Sequence, residues 1–142
     1  MSVGPRPAAV PETDMAARIM QCVLAGVLAA ISVGLLVSLH RLQVDVGVVR
    51  IPAGLLLGVL FQGAASIFLI SVTGSRLPAA VLAAAWGIMV MPFAGRGAGG
   101  GVLMPAVIAE QAQYAGWIVQ GIGVLVPFAV IAGETVRRRR SR

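Results

Sequence analysis

Two glutamines, Gln62 and Gln120, stand inside long apolar runs and are the most unusual polar residues of this chain. A carboxamide carries donors and an acceptor together, so in apolar surroundings it either bonds a neighbouring helix or lines a polar pathway. Ser32 and Ser66 add hydroxyls in similar surroundings, and Trp86 adds an indole N–H that needs a partner when buried. Gln62, Gln120, Ser32, Ser66 and Trp86 therefore form a candidate polar cluster. None of them carries charge at neutral pH. Proton-coupled carriers place a carboxylate or histidine at such positions, which favours interhelical bonding over transport.

Residues suited to acid–base or metal chemistry are sparse. His40 stands alone beside Arg41, and one histidine does not make a bis-imidazole haem site. No Cys, His or carboxylate cluster has metal-ligand spacing, so no cofactor or metal is expected. Glu110 and Glu134 flank the last apolar run on opposite sides and lack partners for acid and base roles, so no catalytic residue is assigned and no enzyme is expected. Asp45 and Glu110 can pair with Arg41, Arg50 or Arg96, surface ion pairs that contribute little. Cys22 is the single cysteine, and packing is its expected role. Gly95-Arg96-Gly97-Ala98-Gly99-Gly100 fits G-x-G-x-x-G by letter, but that motif binds a pyrophosphate only within a βαβ unit. Here the glycines follow an apolar run and read as a loop.

The elements that hold these residues are read from the gaps between charges. Of 142 residues 58% are hydrophobic and only 11% charged, with eleven arginines, five acids and no lysine, against about 25% charged in a soluble domain. A bilayer core about 30 Å thick needs roughly twenty helical residues to cross it. Residues 19–39, 51–73, 77–94 and 114–133 meet that need. The expected fold is all-α, an integral membrane bundle of four transmembrane helices occupying 18–136. A disordered tail over 1–17 with three prolines precedes it, and a basic tail over 137–142 follows. Only Gly74-Ser75-Arg76 separates the second and third spans, an antiparallel hairpin. Residues 102–113 are too short to cross; extension of the fourth helix or an interfacial turn is favoured over a re-entrant piece, because Glu110, Gln111 and Gln113 are costly to sink into lipid.

Small residues mark expected packing faces: Gly54 and Gly58 form a G-x-x-x-G step, and Gly116, Gln120 and Gly123 follow similar spacing in the fourth span. Pro127 removes the hydrogen bond to the Gly123 carbonyl and predicts a kink. Gln62 lies eleven residues into its span and Gln120 six after Tyr114. At about 1.5 Å per residue the two amides reach similar depth, where they can bond each other. Tyr114 and Trp117 suit the aromatic belt of a membrane interface.

Arginine placement sets the expected orientation. With four spans both termini share a side, and eight of the eleven arginines fall there; the positive-inside rule makes that side cytoplasmic. Arg137, Arg138, Arg139 and Arg140 read as a topology anchor that attracts anionic lipid headgroups, not as a nucleic-acid patch.

The stretch from Ile51 to Val126, with Pro52-Ala53-Gly54-Leu55-Leu56-Leu57, Gly74-Ser75-Arg76-Leu77-Pro78, the glycines of 95–101, and Tyr114 with Trp117, resembles small four-pass actinobacterial integral membrane proteins of a family of unknown function. The resemblance implies the four-span topology and a bacterial plasma membrane, and assigns no activity to any residue. The expected function is a non-catalytic accessory or scaffold subunit, packing against itself or other membrane subunits; the alternative is a small channel, carrier or lipid-handling protein that works as an oligomer.

Overall fold

The computed structural model describes residues 13–94, 107–108, 111–112 and 114–141. It is an all-α bundle of four helices: α1 (Thr13–Leu39), α2 (Ala53–Thr73), α3 (Leu77–Ala94) and α4 (Tyr114–Arg140). Three of them, α1, α2 and α4, are long and apolar enough to cross a membrane, and α3 is apolar but shorter. Large side chains such as Met20, Leu60, Ile88 and Leu125 point outward, the pattern of helices solvated by hydrocarbon on one face and by each other on the opposite face.

The helix boundaries depart from the apolar runs in three places. The tail expected to be disordered over 1–17 is helical from Thr13, since beyond Pro11 nothing breaks the helix and Ala16 and Ala17 favour it. At the other terminus the helix continues through Arg137, Arg138, Arg139 and Arg140, so these arginines form its last turn instead of a separate tail. Cations there complement the exposed carbonyls of the helix end. Ile51, expected to open the second span, instead ends a hairpin in which β1 (Val44–Val46) pairs antiparallel with β2 (Val49–Ile51), and α2 starts at Ala53. Gly47 turns that hairpin at φ +64°, and Asp45 faces Arg50 across it at 3.5 Å in an exposed ion pair.

Over residues 102–113 the sequence favours an extension of the fourth helix or an interfacial turn. Among those described, β3 (Val107–Ile108) instead pairs antiparallel with β4 (Gln111–Ala112), and α4 starts only at Tyr114. The glycine motif over 95–100 and Glu110 lie outside the described residues.

The connection between α2 and α3 has three residues. Gly74 adopts the left-handed conformation at φ +65° and donates its N–H to Ile70 O, ending α2. The Ser75 hydroxyl accepts from the Leu77 N–H at 3.2 Å and opens α3. Although these helices are neighbours in sequence, α1 packs chiefly on α3, and α4 packs on both α3 and α2. The core between them holds Ala25, Ala29, Val33 and Leu36 from α1, Leu69 from α2, and Leu82, Trp86 and Val90 from α3. Small alanines on α1 let the helices approach until a tryptophan fills the centre.

Candidate functional site

All four helices meet polar group to polar group at one level of the bundle. The Trp86 Nε1–H of α3 donates to Ser32 Oγ of α1 at 3.2 Å. Ser32 Oγ–H donates to Gln62 Oε1 of α2 at 2.5 Å. Gln62 Nε2–H then donates to the Gly123 carbonyl of α4 at 2.7 Å. Ser66 Oγ–H turns back one helical turn to the Gln62 carbonyl at 2.7 Å. Trp86, Ser32, Gln62 and Ser66 are all fully buried. Each of these side chains thus bonds a neighbouring helix or turn, and no buried side-chain N or O among the described residues lacks a partner.

The acceptor on α4 has a local cause. Pro127 has no N–H, so the carbonyl four residues before it loses its helical partner. That carbonyl belongs to Gly123, and Gln62 occupies it. What the sequence signals as a kink is also a vacant acceptor in the core. Gly123 has a second duty: a Cβ there would overlap the fused ring of Trp86, so the absence of a side chain lets the indole lie against α4 while its N–H reaches α1.

The glycine face of α2 works similarly at the end of the bundle near the β1–β2 hairpin. A Cβ on Gly54 would overlap the Leu39 carbonyl, and one on Gly58 would overlap the Leu36 side chain. Gly54 and Gly58 therefore pack on α1. Gly116 is half-buried near the start of α4. His40, 9% exposed at the end of α1, donates its Nδ1–H to Val37 O at 2.8 Å. Cys22 is half-buried.

Gln120 does not join the node. The expected bond between the two glutamines is absent, because Gln62 Oε1 is taken by Ser32 and its amide by Gly123. Gln120 is half-buried and makes no hydrogen bond to a described residue. It lines a lateral groove of about 400 Å³ between α3 and α4, together with Ala84, Trp86, Gly87, Met91 and Val124. Tyr114 and Trp117 are both exposed near the start of the same helix.

At the arginine-rich end, Glu134 receives Arg138 Nε at 2.7 Å and Arg137 Nε at 2.9 Å. Glu134 lies beyond the apolar run that ends at Gly133, and these two guanidiniums, Arg138 first, hold its carboxyl below the ordinary value of 4.5. Arg138 Nη2 also reaches the Gly74 carbonyl at 3.4 Å, joining the ends of α4 and α2. Among the described residues no three His, Cys, Asp or Glu side chains converge as metal ligands would. No family model, curated protein or solved structure matches the chain.

Proposed function

We propose that this chain is a non-catalytic integral membrane protein that serves as an accessory or scaffold subunit, assembling with itself or with other membrane subunits. The observation that carries this reading is the contrast between the two glutamines. The interior amide bonds both α1 and α4 in a fully buried node, which speaks against a polar pathway through one chain, whereas Gln120 presents an unengaged amide on a lateral groove. In hydrocarbon such a group is costly without a partner, and amides on helix surfaces serve as interhelical bonds.

The arginine distribution supports a bacterial plasma membrane orientation with both termini cytoplasmic. The resemblance to small actinobacterial four-pass proteins agrees with that setting and adds no activity. Purification of the full chain in mild detergent, with the mass of the particle and its companions measured, tests the proposal. A homo-oligomer or a defined complex is expected, and recovery only as a lone monomer overturns it. A reporter fused after Arg142 is expected to read cytoplasmic; an external signal overturns the orientation.

A further inference from the structure

A second groove of about 580 Å³ opens between α2 and α4 at the arginine-rich end. Its chemistry changes along its length. Toward the middle of the helices stand Ile67 and Ile70 of α2 and Val130 of α4; at the arginine end, its mouth, stand Glu134, Arg137 and Arg138. From Val130 to Arg137 is seven residues, about 10 Å of helix. Ile67 is 58% exposed, so the apolar part opens sideways, toward hydrocarbon if the bundle spans a bilayer.

We propose that this groove binds one anionic glycerophospholipid, with its phosphate at Arg137 and Arg138 and the first part of an acyl chain against Ile67 and Val130. The inference rests on the membrane-spanning reading but goes beyond a basic patch that attracts headgroups in general. Arg137 and Arg138 are unlike Arg139 and Arg140 in that a carboxylate orients both of them: Glu134 accepts Arg137 Nε and Nη2 and Arg138 Nε. An arginine side chain has five N–H donors, so each guanidinium keeps further donors for phosphate oxygens while Glu134 and Gly74 O hold it at the mouth. Two guanidiniums against one carboxylate at this mouth leave a net positive charge that selects an anionic headgroup over a zwitterionic one. An apolar bed continuous with that mouth selects a lipid over a soluble phosphate.

The test uses the full chain in neutral detergent, titrated with phosphatidylglycerol, with phosphatidylcholine of the same acyl chains, and with glycerol phosphate. Bound lipid is counted by native mass spectrometry, and the shift in unfolding temperature is recorded. One phosphatidylglycerol per chain is expected to remain bound and to raise the unfolding temperature. Arg137→Gln with Arg138→Gln is expected to weaken binding about tenfold or more, and Arg139→Gln with Arg140→Gln, an equal loss of charge, is expected to weaken it far less. Gly133→Leu separates the groove from the charge: a Cβ at Gly133 meets nothing within 4 Å, so leucine enters the groove without disturbing the helix and is expected to reduce lipid binding while the lipid-free unfolding temperature stays unchanged. Equal losses from the two arginine pairs overturn the proposal, as does unchanged binding in Gly133→Leu, equal retention of phosphatidylcholine, or an equal response to glycerol phosphate. The particle mass measured in the same spectra reports the assembly separately, so failure of the lipid site and failure of the subunit reading are told apart.

Discussion

Replacing Gln62 by leucine removes the centre of the node at nearly constant volume, so loss of polar contacts dominates over cavity formation. Two interhelical bonds disappear, those to Ser32 and to the Gly123 carbonyl, at about 0.6 kcal/mol each on average in a membrane bundle. The stranded Gly123 carbonyl costs more. Pro127 gives it no helical donor, so after Gln62→Leu it stands unsatisfied in the core, at about 1–3 kcal/mol. The variant is therefore expected to lose about 2–4 kcal/mol. Pro127→Ala changes that balance, because alanine restores an N–H at position 127 that can bond Gly123 within α4. In the Pro127→Ala background the cost of Gln62→Leu is expected to fall by about 1–2 kcal/mol. Reversible unfolding of the full chain in mixed micelles with increasing SDS, followed by tryptophan fluorescence and circular dichroism, measures all four corners of the cycle. An equal cost of Gln62→Leu in both backgrounds, within about 0.5 kcal/mol, refutes the idea that the proline creates the acceptor that the glutamine serves.

Gln62→Leu and Gln120→Leu are expected to be additive within about 0.5 kcal/mol in the same assay, since the two amides share no hydrogen bond; coupling beyond that would place Gln120 in the node. Gly123→Ala is expected to lower the unfolding temperature and to shift tryptophan emission, because its Cβ meets the indole of Trp86, whereas Gly63→Ala, with only Val126 at 3.9 Å, is expected to be nearly silent. Gly54→Ala is likewise expected to lower the unfolding temperature, since its Cβ meets backbone at the end of α1; equal behaviour of Gly54 and Gly63 would remove the close α1–α2 approach. The pH dependence has a definite sign. Glu134 titrates below 4.5 in the folded chain, so its contribution is present above that value and is lost as pH falls through the lowered one. The difference in unfolding temperature between the parent and Glu134→Gln is expected to shrink as pH is taken from 7 to 3, and a constant or growing gap would show that the arginine pairs do not act through the carboxylate.

Much of the polar node is legible in the residue types alone. Gln62, Ser32, Ser66 and Trp86 stand out because each is a hydrogen-bonding group in an apolar run, and Trp86 near the middle of its run calls for an internal partner. The missing member was a backbone atom. The Gly123 carbonyl carries no side-chain signature, and its only mark in the chain is Pro127 four residues later. Equal depth brings Gln62 and Gln120 to one level, but depth says nothing about rotation. On α4 the residue turned inward at that level is Gly123, required by the Trp86 ring, and Gln120 faces the lateral groove between α3 and α4.

The apolar run lengths determine by themselves that the chain forms a few long helices with charges at their ends, because the length of a helix and the medium that solvates it are properties of one segment. Of the small-residue steps, Gly54 and Gly58 do mark the face that approaches α1, whereas in the fourth span Gly123 meets a neighbour closely but Gln120 turns to the groove. Which helix each face meets was decided only in the tertiary structure: α1 lies chiefly on α3, and Gln62 reaches across to α4. Partner choice depends on the relative rotation and height of four helices at once, set by Leu36 over Gly58 and Trp86 over Gly123. Contacts so distant along the chain have no local periodicity to announce them, and a hydrogen bond of 2.7 Å is sensitive to every one of them.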